Sequence, residues 1–194
     1  MKKPYLIPLL AAAMFCTLLP GSPAQSADKP KVTAAEARAH LAKDVPPTIA
    51  TYKKADPGID RFFKDSVGYV VFPRVGKVGL IIGGGDGVGE VYEKGKLIGT
   101  ATITFGTIGL QAGAQEFSQI VFFKDAAALD RFKQNNFEFA ANASAVIIKA
   151  GASGGADYTN GVAVFTRSTS GAMFEAALGT QKFSFTAEAA PAKK

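Results

Sequence analysis

The chain has 194 residues and a formal charge of +6, with 47% hydrophobic and 20% charged residues. Those proportions belong to a globular domain and exclude a wholly disordered chain. A single Cys and a single His exclude a disulfide framework, a Cys-ligated zinc or iron–sulfur site and a multi-His metal centre.

Met1-Lys2-Lys3, an apolar run from Tyr5 to Leu19 and small residues up to Ala27 form the three parts of a secretory signal peptide. The run falls short of the roughly 20 residues that a membrane span needs. Residues 1–26 are therefore expected to be removed and the mature protein to be exported, periplasmic or peripheral to a membrane. Lipidation at Cys16 fits less well, because bulky Phe15 precedes it. Residues 27–77 hold ten Lys/Arg against six Asp/Glu, whereas residues 78–194 hold ten of each. The net positive charge of the mature chain thus lies in its N-terminal part, which favours an anionic partner there. For an exported protein that partner is lipid, with no nucleic acid expected.

Thr33-Ala34-Ala35-Glu36 is a capping box opening a helix. Pro46-Pro47 is expected to end it, with a second short helix over 48–55. Asp56-Pro57 starts another, in which Ile59, Phe62 and Phe63 recur at i, i+3 and i+4 beside Arg61 and Lys64. From Val67 short strands follow: 68–73, 78–82, 88–92 and 97–105. Glu93-Lys94-Gly95-Lys96 makes a hairpin signal, and Thr100, Thr102 and Thr104 alternate with Ala101, Ile103 and Phe105. Strands are also expected within 108–114 and over 118–123, 143–149, 161–167, 172–178 and 182–186. One helix, capped by Asp125, is inserted near 125–135. The Ala/Pro/Lys-rich tail, 187–194, reads as disordered. The expected fold is α+β: short N-terminal helices on a strongly bent antiparallel β-sheet or a barrel, forming one domain over 27–186.

The residues offer little for catalysis. Gly83-Gly84-Gly85-Asp86-Gly87-Val88-Gly89 lacks the Gly-Lys-Ser/Thr ending of a phosphate loop and the glycine spacing of a dinucleotide site. His40 has no neighbouring nucleophile motif, and nothing in the spacing of Glu90, Glu93 and Glu116 requires a carboxylate pair. Asn142-Ala143-Ser144 is a glycosylation sequon by sequence alone. A non-enzymatic protein without metal or cofactor is expected. Cations beside aromatics at 59–64 suit an interfacial helix, and the same spacing suits a helix packed on a sheet. Lys53, Lys54, Arg61 and Lys64 are the candidate lipid-phosphate contacts, with Phe62 or Phe63 as the inserted ring.

Ser66-Val67-Gly68-Tyr69-Val70-Val71-Phe72-Pro73, then Lys77-Val78-Gly79 and the glycine run at 83–89, resemble the core of the SYLF-domain family. Gly106-Thr107-Ile108-Gly109-Leu110-Gln111-Ala112-Gly113-Ala114-Gln115 is similar to its glycine-spaced central strand. Val162 to Phe174 resembles its C-terminal hairpin, with Phe165-Thr166 where Tyr-Ser is common. The resemblance spans roughly residues 33–186. It implies binding of an anionic phospholipid membrane, to which an N-terminal helix and basic residues contribute in eukaryotic members. Actin regulation, known in some of those members, goes with interaction modules that this sequence lacks. Two other readings remain: an envelope protein that pairs with a protein partner through a sheet edge or apolar patch, and a barrel carrier enclosing an apolar ligand.

Overall fold

The computed structural model describes residues 34–79, 82–108, 113–135, 138–140, 145–170 and 180–188. The expected signal peptide, the expected Thr33 cap, the sequon, the strand expected over 172–178 and the tail beyond Glu188 lie outside them. The elements in chain order are α1 (Ala34–Ala55), a 3-10 turn (Pro57–Ile59), α2 (Asp60–Asp65), β1 (Gly68–Gly79), β2 (Ile82–Glu93), β3 (Lys96–Ile108) and β4 (Gly113–Phe123). There follow α3 (Ala126–Lys133), β5 (Glu138–Ala140), β6 (Ala145–Ile147), a second 3-10 turn (Ala152–Gly155), β7 (Val162–Ser170) and β8 (Thr180–Ala187). Among the described residues no helix is long and apolar enough to cross a membrane.

The strands form one sheet in the order β5-β8-β3-β2-β1-β4-β7-β6. The α+β class with a strongly bent sheet is as expected. Two details differ. The sheet is mixed, because β6 runs parallel to β7. It is also open: β5 and β6 stand at its two ends and do not pair with each other, so the barrel alternative is incorrect for the described residues. The curl is nevertheless pronounced. Gln119 on β4 and Gln181 on β8, separated by three strands in the sheet, exchange amide hydrogen bonds of 2.9 and 3.1 Å across the concave side.

The central strands bury both faces. On the concave side Val70, Phe72, Phe117, Val121, Phe123, Val162 and Val164 join Phe183 and the α3 residues Leu129 and Phe132. On the other side Val71, Ile120, Phe122, Ala163 and Phe165 pack against Val45, Tyr52, Ile59 and Phe62. Strands buried on both faces read as continuous apolar runs, as Tyr69–Phe72 and Ile120–Phe123 do. β3 is covered on one side only, which is why its Thr/apolar alternation is clean: Ala101, Ile103 and Phe105 are buried while Thr102 and Thr104 are exposed. The β2–β3 hairpin turns through Lys94 and Gly95, both at positive φ, as a two-residue primed turn requires.

Two local expectations are corrected. α1 runs through Pro46 and Pro47 as one 22-residue helix. Both prolines lie on its exposed side, while Leu41, Val45 and Tyr52 lie buried along the other. Tertiary burial on both sides of the pair thus outweighs the missing N–H groups. The strand expected over 68–73 runs on to Gly79 as the single β1, taking in the first two residues of the strand expected over 78–82, while Ile82 opens β2. The register of β1 against β4 shifts between Phe72 and Val75, around Pro73, which cannot donate to the ladder. The glycine run at 83–89 lies within β2, paired to β1 and β3 along its length.

Those glycines are needed for close approach of β2 to β1. A Cβ at Gly87 would lie 2.7 Å from the Arg74 carbonyl oxygen, and one at Gly85 or Gly89 would lie closer still to the carbonyls of Gly76 and Val71. At Gly89 the Phe72 ring also blocks it, at 2.7 Å. Gly106, by contrast, has open space around it. Gly89→Ala is expected to destabilise the fold by about 1–3 kcal/mol through overpacking, and Gly106→Ala to stay within about 0.5 kcal/mol of the parent. Urea unfolding of the two variants measures the difference.

Candidate functional site

The basic N-terminal segment is fixed to the sheet at a corner where α1 gives way to α2. Tyr52 supplies the first pin. It is fully buried, and its hydroxyl donates to the Ser118 carbonyl oxygen at 2.7 Å. Burial pushes its phenol well above the ordinary value of 10, despite the nearby Ser118 hydroxyl and Arg167, so it stays a neutral donor. Asp56 supplies the second. It caps the 3-10 turn by accepting from Gly58 N at 3.0 Å and reaches across to Ser153 N at 2.6 Å. Burial opposes its ionisation. The backbone donors of Ser153, Gly58 and Gly151 outweigh burial and hold the carboxyl below its usual 3.8.

Arg61 clamps the same loop from α2. Its Nη2 donates to the Ser153 carbonyl oxygen at 2.7 Å and also to that of Ala156, and the guanidinium lies 4.6 Å from the centre of the Phe62 ring. Phe62 is only 2% exposed and sits edge-on to Phe165 at 4.7 Å. Phe63 is half-buried, edge-on to Phe122 at 4.8 Å and to Tyr69 at 5.1 Å. Lys53 covers the Phe63 ring at 4.7 Å and pairs with Asp60 at 2.7 Å. That pair is half-exposed and contributes about 0–1 kcal/mol.

The six candidate residues thus share one corner but not one role. Insertion of Phe62 into a membrane is corrected: the ring belongs to the core. Phe63 is also committed to packing. Lys53 and Arg61 have protein partners, and Arg61 acts as a structural clamp. Lys54 and Lys64 are exposed, and among the described residues neither is in an ion pair. Sequence spacing could not foresee that Lys124 and Tyr158 join Arg61 here. Together with Asp65 and Asp157 they line a hollow of about 210 Å³. Burial, with the charge of Asp65, pushes the Tyr158 hydroxyl up to about 12. The carboxylates expected to be able to pair do not: Glu90 accepts from Tyr92, Glu93 binds Lys133, and Glu116 accepts from Thr169. His40 is an exposed residue of α1.

Because the folded-state value of Asp56 lies below 3.8, its contribution is complete above about pH 4 and is lost as pH falls through the lowered value. Asp56→Asn is therefore expected to cost about 1–3 kcal/mol at pH 7 and progressively less in acid. Urea unfolding of both proteins at pH 7 and pH 3 checks the convergence.

Residues 104–190 match the family described as Ysc84, Las17-binding protein actin regulator. The match begins within β3 and extends past β8, so it covers the second half of the sheet and not the helical corner. It includes two of the three segments that carry the SYLF resemblance, those at 106–115 and 162–174. No curated protein matches the chain. Over residues 104–190 the chain is therefore similar to the Ysc84, or SYLF-domain, family.

Proposed function

We propose that this protein is exported under the direction of residues 1–26 and that its mature form is a non-enzymatic domain attaching peripherally to anionic phospholipid. The observation that carries the reading is the exposure of Lys54 and Lys64 on a corner that Tyr52, Asp56 and Arg61 hold rigidly against the sheet. The match of residues 104–190 to the SYLF-domain family supports it. With both phenylalanines committed to packing, attachment is electrostatic and lacks an inserted ring. Each cation near an anionic surface contributes about 1 kcal/mol, and exposed Lys124 and Lys149 stand beside the same corner through Tyr158 and the second 3-10 turn. Such attachment is reversible and weakens with salt.

Co-sedimentation of the mature protein with vesicles tests this. Binding is expected to vesicles containing phosphatidylglycerol, to be absent from neutral ones, and to fall as salt is raised. Lys54→Gln with Lys64→Gln should reduce it by about tenfold or more, from two surface cations lost. Undiminished binding by that double variant would move the site elsewhere. Failure to bind either vesicle, with one protein co-purifying from the envelope, would favour a protein partner, in keeping with the family's description as Las17-binding.

A further inference from the structure

A second cleft, of about 330 Å³, opens between the middle of α1 and strands β1, β4 and β7. That volume lies at the lower end of the roughly 300–1,000 Å³ usual for small-molecule sites. Asp44 lines it from the helix, Arg74 from β1, Glu116 from β4, and Arg167 and Thr169 from β7. Two cations and two carboxylates therefore face one space, and their mutual pairing is incomplete. Arg74 and Asp44 meet at 3.5 Å. Glu116 accepts only a long 3.4 Å contact from the Thr169 hydroxyl. Arg167 is half-buried and, among the described residues, makes neither an ion pair nor a side-chain hydrogen bond. Its strand register places it opposite Ser118, two residues from Glu116 on the same strand, yet the two charges do not close on each other. The wall behind Arg167 offers little: the Tyr52 hydroxyl and Ser118 are bonded to one another and to strand carbonyls.

A guanidinium cannot shed its proton, presents a fork suited to phosphate oxygens, and is costly to desolvate without an anion. A group carrying several negative charges is opposed here by Asp44 and Glu116. A ligand with one phosphate and one ammonium satisfies both sides: phosphate oxygens on Arg167, ammonium protons on Glu116. We propose that this cleft binds a small zwitterion bearing a phosphate and a primary ammonium, the chemistry of a phosphoethanolamine headgroup. It deepens the membrane reading, on which it rests only for the source of the ligand: a lipid headgroup or a free phosphoethanolamine ester. Arg167, Glu116 and Thr169 lie within the family-matched span, whereas Lys54 and Lys64 do not.

The test is a titration of the mature protein with glycerophosphoethanolamine, glycerophosphocholine and glycerol phosphate, followed by amide NMR shifts. Glycerophosphoethanolamine is expected to bind about tenfold more tightly than the other two, shifting Glu116, Arg167 and Thr169. Arg167→Gln should abolish the response, and Glu116→Gln should abolish the preference for the primary ammonium over the quaternary one. Glu116 is half-exposed, so its variant keeps the test decisive if Arg167→Gln does not fold. Equal binding of glycerol phosphate, or no shift with any ligand at tens of millimolar, would overturn the proposal. Vesicles with and without phosphatidylethanolamine then assign the source. An increase that Arg167→Gln removes supports the lipid, and soluble binding without a vesicle response supports the free ester. Because the titration contains no membrane, its outcome is independent of the Lys54/Lys64 experiment.

Discussion

The approach of the β2 backbone to β1 is the constraint on which the rest of the architecture depends. Gly85, Gly87 and Gly89 leave no side chain between the strands where the sheet curls, and the neighbouring carbonyl oxygens occupy the space a Cβ would take. Tight curvature brings β8 round to face β4, so that Phe183 reaches Phe72 and Phe132. The concave side is then filled by rings, with α3 closing it. The convex side of the same bend presents β1, β4 and β7 as a ridge for α1 and α2. Both the basic corner and the amphoteric cleft lie along that ridge, so their geometry follows from the curl.

Polar pins then convert a packed helix into a positioned one. Apolar contact alone lets a helix slide or rotate at small cost. Tyr52 to the Ser118 carbonyl, and Asp56 to the backbone of the second 3-10 turn, are directional and buried, so a displaced helix leaves unpaired groups behind. Arg61 serves the same end from α2. A residue that resembles a lipid contact by charge and exposure can thus be spent on holding the scaffold, while less conspicuous lysines beside it remain available.

How far the sequence could be read follows from where each determinant lies. The Lys94-Gly95 turn, the Asp125 cap of α3 and the alternation in β3 are set by local chemistry, and all three were legible. The continuity of α1 across Pro46-Pro47 was not, because its cause is burial of Val45 and Tyr52 against distant strands. Nor was the glycine-rich first half of β2, ahead of the strand expected over 88–92, since glycine is a poor strand former and only a neighbouring backbone makes it necessary. The pattern of Ile59, Phe62 and Phe63 fits an interfacial helix and a packed one equally, and tertiary contacts decide for packing. The cleft draws on positions from Asp44 to Thr169, a span over which no spacing rule operates.

The amide pair joining β4 to β8 has an evolutionary consequence. Gln119 and Gln181 are both fully buried, and each satisfies the other. Replacing one by an apolar residue strands its partner's donors and acceptor without water, whereas replacing both by leucine-sized residues restores a compatible interior. The two positions are therefore epistatic: a lineage leaves the glutamine pair through a less stable intermediate or by a double change. The side of the fold that curls round to meet itself should accordingly evolve in jumps, while the exposed face of β3 drifts one residue at a time.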